Sequence, residues 1–303
     1  MAKHRAPPTA VGEHTGMAYG VGAQLIWGLF PAYWPLLLPT RATEILAHRI
    51  AWSLAVMLIV TMVLRRWQPL IGLSRRGWLM VASAAVLITV NWGTLIYAVN
   101  TRHVVESALG YFITPLVSVL LGVVVLGERL RGARTAAVTI AVLAVVVLTL
   151  DYGRLPWISL VLALSFGGYG LVKKTVPLDS AASLTAETMI IGPAALGYLF
   201  GLPAPTFGSH GPGHALLLMG SGVVTAVPLL LFGAGARRVR LVTLGMLQYL
   251  APVLQFGWGV FVAHEPMPAS RWIGFALVWL SLLVFTVDAV RNSRDRQPAR
   301  RLT

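Results

Sequence analysis

Cysteine is absent from the 303 residues. That excludes disulfides, thiolate metal sites, iron–sulfur clusters and cysteine nucleophiles. Charge is scarce too, at 11% against about 25% in an ordinary soluble domain. Acidic residues are the scarcest, with 10 Asp and Glu against 24 Lys and Arg. A chain that is 57% apolar and so sparsely charged cannot cover itself with a polar surface. The sequence also lacks a Walker phosphate loop, which argues against direct ATP drive. It shows no nucleophile–base pair or metal cluster of the kind an intramembrane enzyme needs. The reading is therefore of a non-enzyme that calls for no cofactor.

What the chain does have is apolar blocks of bilayer-spanning length, which is roughly 20 residues. The pattern predicts spans at Met17–Leu38, Ile45–Leu64, Trp78–Val99, Val104–Leu126, Ala133–Leu150, Leu155–Val172, Ala181–Leu202, Ala215–Ala236, Leu241–Ala263 and Trp272–Val290. The first is too long for a signal-peptide core and no small-x-small cleavage site follows it, so it reads as a retained span. The expected fold class is an all-α membrane protein of about ten transmembrane helices.

The basic residues alternate between loops. Of the 24 Lys and Arg, 19 fall on one side, including Arg65, Arg75, Arg131, Lys173, Arg237 and the tail from Arg291 to Arg301. Four fall on the other, namely Arg41, Arg102, Arg154 and Arg271, and Arg49 lies inside a span. The richer side marks the cytoplasm, so both termini are expected there, in a cell inner membrane. The formal net charge of +14 is thus mainly a topology signal, and the tail from Arg291 to Arg301 also suits anionic lipid rather than nucleic acid.

The chain also matches itself at an offset of 137 residues, which places Pro115 on Pro252, Gly122 on Gly259, Glu128 on Glu265 and Arg134 on Arg271. Five spans precede the break and five follow, and an odd number per half inverts the second half in the membrane. The expected organisation is a tail at 1–16, a first five-helix repeat at 17–150, a second at 151–290 and a basic tail at 291–303. Inverted repeats of this kind suit solute carriers that alternate access about a mid-membrane site.

Several strings carry a family likeness. They include Ile26-Trp27-Gly28 with Pro31-Ala32-Tyr33, and Glu44-Ile45-Leu46-Ala47-His48-Arg49 with Trp52-Ser53. Asn91-Trp92, Glu106-Ser107-Ala108-Leu109-Gly110-Tyr111-Phe112 and Gly127-Glu128-Arg129 follow, then Glu187-Thr188-Met189, Thr243-Leu244-Gly245 and Gln248-Tyr249. In order and spacing the chain resembles the RarD-type proteins of the EamA family, in the drug/metabolite transporter superfamily, from about Tyr19 to Asp288. Gly127-Glu128 has His264-Glu265 as its counterpart, so that glycine is not repeated. The resemblance implies two inverted EamA-like halves of five helices, an inner-membrane location and permease activity, and brings no substrate with it.

Polar groups at membrane depth are costly and usually face a bundle interior or cavity. Arg49, with His48 beside it, is expected about 7 Å below the outer end of its span. Glu106 enters the fourth span from the same side. Arg49 and Glu106 are expected to interact, directly or through bound substrate. The alternative is that Arg49 snorkels to the headgroups and Glu106 pairs with Arg102 at i and i+4.

Glu187, in the inner third of its span, suits coupling to the proton gradient, or else is neutralised by Lys173 or Lys174. Asn91, Tyr111 and its repeat mate Gln248, with Trp92 and Tyr249, either line a central amphipathic cavity or bond helices together. Trp27, Trp52 and Trp92 are placed to stack a planar solute, whereas Trp67, Trp78 and Trp272 read as interfacial. Pro115 and Pro252, matched across the repeat, are the hinge candidates. His210 and His214 have metal-like spacing but lie in a Gly- and Pro-rich stretch expected to be an exposed loop. The functional expectation is a secondary permease or exporter of a small metabolite or amphipathic compound. The alternative is a membrane scaffold or channel subunit, and the oligomeric state is left open.

Overall fold

The computed structural model describes residues 10–65, 67–126, 132–173, 176–236, 238–239 and 246–295. Glu128, Lys174, Arg237, Thr243-Leu244-Gly245 and the start of the expected span Leu241–Ala263 lie outside them.

Every regular element among the described residues is helical. The principal ones are α1 (Ala10–Gly28), α2 (Ala42–Val63), α3 (Arg75–Asn100), α4 (Val104–Leu126), α5 (Ala133–Tyr152), α6 (Trp157–Lys173), α7 (Ser180–Phe200), α8 (Gly211–Ala236), α9 (Leu250–Gly257) and α10 (Ala269–Asp295). Helices α2, α3, α4, α5, α8 and α10 are long and apolar enough to cross a membrane, and α6 and Leu250–Val262 are shorter apolar helices. A helix satisfies its own backbone, which is what a lipid environment requires.

Local chemistry sets the ends. Ser74 caps α3 by accepting a hydrogen bond from Gly77 N. Asp179 caps α7 by accepting from Ala181 N and Ala182 N. Gly153, at φ +63°, closes α5 in the left-handed region that glycine tolerates.

Two expected spans are irregular. The run Met17–Leu38 is interrupted at Leu29, passes through a short turn at Phe30–Tyr33 and finishes as a 3₁₀ turn at Trp34–Leu37. Pro31 and Pro35 each remove a backbone donor there. Helix α9 continues as a π-helical turn over Trp258–Val262. Helix α8 begins at Gly211, so the stretch around Pro212 is not the loop the composition suggested. Proline suits a first turn, where its missing N–H would have had no intrahelical partner.

The helices neighbour one another in a defined set of pairs. Helix α1 lies against α8 and α9, α6 against α3 and α4, α2 against α7 and α8, α4 against α9, and α5 against α10. Some of these approaches are close. A Cβ on Gly222 of α8 would collide with the carbonyl carbon of Trp52 on α2, and one on Gly110 of α4 would lie 2.8 Å from Ser159 O on α6. Small residues at such crossings let helix backbones touch, the packing available where lipid removes the hydrophobic drive between helices.

Outward-facing positions are apolar as well: Val63, Val124, Leu150, Phe200 and Phe261 are each more than 70% exposed. Buried hydroxyls mostly bond back to the preceding turn, as Thr114 Oγ1 does to Gly110 O at 2.9 Å. An apolar exterior over a core whose hydroxyls mostly bond within their own helices is the arrangement of a multi-pass membrane protein.

Candidate functional site

The site centres on Arg49, seven residues into α2 and 1% exposed. At 1.5 Å per residue this is about 10 Å along the helix, deeper than the sequence placed it. Its guanidinium carbon lies 4.2 Å from the ring centre of Trp92, 4.9 Å from that of Trp34 and 5.2 Å from that of Phe30. Three aromatic rings therefore surround one cation, and such contacts are strongest when desolvated. Nε donates to Thr225 Oγ1 on α8 at 2.8 Å, while Nη1 has no hydrogen-bond partner. No ion pair to Arg49 occurs among the described residues.

The interrupted end of the first span builds half of this cage. Phe30 and Trp34 are one helical turn apart, and the prolines beside them fix the backbone that presents both rings. Sequence reasoning singled out Arg49 and Trp92 but missed Phe30, Trp34 and Thr225. The dense aromatic string Phe30-Pro31-Ala32-Tyr33-Trp34-Pro35 was the available signal for the first two. Nothing in the sequence marked Thr225.

Glu106 does not pair directly with Arg49. Its carboxylate accepts from Arg154 Nη2 at 2.8 Å and from Ile158 N at 3.2 Å, tying α4 to the start of α6. The local alternative fails too. Arg102 precedes α4, with φ +58°, so the i, i+4 register of a helix does not apply to it.

Glu187 is 2% exposed and its carboxylate accepts three hydrogen bonds. It accepts from Lys173 Nζ and Ser183 Oγ at 2.7 Å each and from Tyr169 hydroxyl at 3.1 Å. With Trp92, Glu187 also lines a void of about 10 Å³, the size that holds one water. Trp92, which lies against Arg49, and Glu187 thus border one small space.

The other expected residues divide. Asn91 Nδ2 donates to Leu162 O and Ser165 Oγ, both at 3.1 Å, and Asn91 Oδ1 accepts from the Tyr111 hydroxyl at 3.0 Å. Asn91 and Tyr111 therefore meet, in the helix-bonding arrangement. His48 stacks on Phe207 with centroids 5.1 Å apart, and Trp52 lies 6.2 Å from the same ring. Trp27 packs against Phe232 instead of joining the cage.

Gln248 is exposed and Tyr249 packs with the α4–α5–α10 core, so the repeat mate of Tyr111 does not share its surroundings. Pro115 lies inside α4 and Pro252 in the first turn of α9. His214 is not on an exposed loop. It sits in the first turn of α8, half-buried, with Nε2 within 3.1 Å of both Thr40 Oγ1 and Leu37 O.

A separate cavity of about 430 Å³ lies where Asn100 at the end of α3, the start of α4 and the π-helical turn meet. Pro31, Pro35, Arg102, Trp258 and His264 are among its lining residues. Beside it, the Glu265 carboxylate accepts from Val104 N at 2.5 Å and Val105 N at 3.0 Å, capping α4 from across the molecule. Burial pushes the Glu265 carboxyl above the ordinary carboxylate range against those two stabilising bonds.

Comparison with known proteins places this arrangement. The model of the EamA-like transporter family matches residues 14–150. Protein RarD of Streptomyces exfoliatus is 54% identical, over 93% of this chain and 91% of its own length. The uncharacterized transporter YojE of Bacillus subtilis is 45% identical, over 92% and 96%. A solved crystal structure, 20% identical, shares the fold with a TM-score of 0.58 over 90% of this chain and 97% of the other. The chain is thus a multi-pass membrane protein of the drug/metabolite transporter type, and it belongs to the EamA family, among its RarD-type members.

Proposed function

We propose that this protein is a secondary transporter of a small metabolite or amphipathic compound. It works by alternating access between two inverted five-helix halves, α1–α5 and α6–α10, in the cell inner membrane with both termini cytoplasmic. The observation that carries this reading is Arg49. A buried cation without a counter-ion is expensive in lipid and marks a solute path by default. It also stands where the halves meet, with Trp92 on α3 and Thr225 on α8.

The helix neighbours support the inverted repeat. Exchanging the halves turns the pair α1–α8 into α6–α3 and the pair α1–α9 into α6–α4. It leaves α2–α7, α4–α9 and α5–α10 unchanged. Each of these pairs is present. The alternation of basic loops supports ten spans and the orientation.

Proton coupling is assigned to Glu187. Protonation would release Lys173 and loosen the bond between α6 and α7 beside the void that Trp92 also borders. Uptake of a metabolite and drug panel into proteoliposomes, with and without a pH gradient, tests both parts. Glu187→Gln is expected to abolish gradient-driven accumulation and keep solute exchange. Gradient-driven uptake that survives Glu187→Gln contradicts the coupling. A panel with no saturable uptake at all points instead to a scaffold or channel subunit.

A further inference from the structure

We infer that the solute is a small organic monoanion whose acid group binds the free edge of the Arg49 guanidinium. The inference rests on the transport reading and adds the substrate class.

The argument begins with charge. Arg49 is 1% exposed and has no carboxylate against it among the described residues. Elsewhere among the described residues, Arg154–Glu106, Lys173–Glu187 and Arg271–Asp151 are matched at 2.7–2.9 Å. Aromatic faces attract the cation but do not neutralise it, and a buried charge left unpaired is strongly unfavourable. The missing partner is therefore negative, and one cation calls for one negative charge.

Hydrogen bonding gives the same sign. Arg49 Nη1, Trp34 Nε1 and Ser53 Oγ are all buried without partners. Trp34 touches the guanidinium through its ring, and Ser53 stands one turn beyond Arg49 on α2. The first two can only donate and the third can donate. Idle donors around one cation ask for an acceptor with several lone pairs, and a carboxylate supplies about four. A cationic or purely apolar solute would leave the Arg49 and Trp34 donors idle.

The approach route has the same preference. The segment Phe30–Leu37 is a thin wall. Phe30 and Trp34 face Arg49, while Pro31 and Pro35 border the 430 Å³ cavity. Among the described residues that cavity is lined by Arg102 and His264 and by no Asp or Glu, and the Glu265 carboxylate beside it is engaged by the Val104 and Val105 amides. A space bordered by basic side chains concentrates anions ahead of a cationic site. The aromatic cage beyond it suits an organic body on that acid group in preference to a bare inorganic ion.

The test uses the purified full-length protein in detergent, in chloride-free buffer at neutral pH. Two matched probe sets share a carbon skeleton and differ in charge: benzoate, benzamide and benzylamine, and indole-3-acetate, indole-3-acetamide and tryptamine. Binding is read as stabilisation against heat and by titration. The carboxylate of at least one set is expected to bind, with its amide and amine at least tenfold weaker. Arg49→Gln is expected to lose carboxylate binding by about 30-fold or more.

Trp34→Phe keeps the ring and removes one donor, so it is expected to weaken the same probe about fivefold, and it guards against a misfolded Arg49 variant. A purely structural Arg49 would lower stability in every condition without altering the ranking of acid over amide. Preference for an amide or amine, no binding of either carboxylate, or unchanged carboxylate affinity in Arg49→Gln overturns the inference. Saturable proteoliposome uptake of neutral or cationic probes alone would overturn the substrate class and leave transport standing. Carboxylate binding without any uptake would keep the site and overturn transport.

Discussion

The carboxylate of Glu106 is held by Arg154 at 2.8 Å, and Arg49 is left as a caged cation without a counter-ion among the described residues. Two acid–base roles that look interchangeable in the sequence are thereby separated. Glu106 with Arg154 fixes α4 to α6, and Arg49 stays available to a solute.

A double-mutant cycle measures this separation. Glu106→Gln and Arg154→Ala are expected to couple by about 1 kcal/mol in thermal stability, a modest figure because the Arg154 side chain is 40% exposed. Glu106→Gln and Arg49→Gln, which share no partner, are expected to couple by less than about 0.5 kcal/mol. Coupling of the second pair above that of the first would restore a direct Arg49–Glu106 interaction.

The Glu265 cap gives a pH dependence of definite sign. Its carboxyl is raised above 4.5 in the folded protein, so over the range just above 4.5 the folded state holds a proton that the unfolded state has lost. Its contribution to stability is full below that value and is lost as pH rises through the raised one. The denaturation midpoint of the wild type, relative to that of Glu265→Gln, should therefore fall as pH increases through this range. A difference that stays flat, or rises with pH, contradicts the burial effect.

Topology is tested by reporter fusions at Arg75 and Arg237. Both are expected on the cytoplasmic face, because five-span halves of opposite orientation put these basic loops on one side. Reporters on opposite faces would contradict the ten-span arrangement.

The helices were legible in the sequence because each is an apolar run with its own stop signal, and so was Arg49, because a lone cation in such a run is conspicuous. Its surroundings were not. Thr225 reaches it from 176 positions away, through the close crossing that Gly222 permits between α2 and α8. Arg154 meets Glu106 only after α4 and α6 pack, whereas a helical spacing rule favoured Arg102, which lies off the helix. The glycines around His214 suggest a loop, although Pro212 fits a helix start equally well. The repeat placed Gln248 on Tyr111 by register alone, and register does not carry burial with it.

The most direct test of the central claim uses the absence of cysteine. Thr225→Cys sets a single thiol against Arg49, where membrane-impermeant reagents can be applied to right-side-out and inside-out vesicles. Alternating access to the Arg49 cage predicts modification from each face in turn, slowed by a bound solute. A thiol that reacts from neither face would mean that Arg49 lies in a sealed core and not on a solute path.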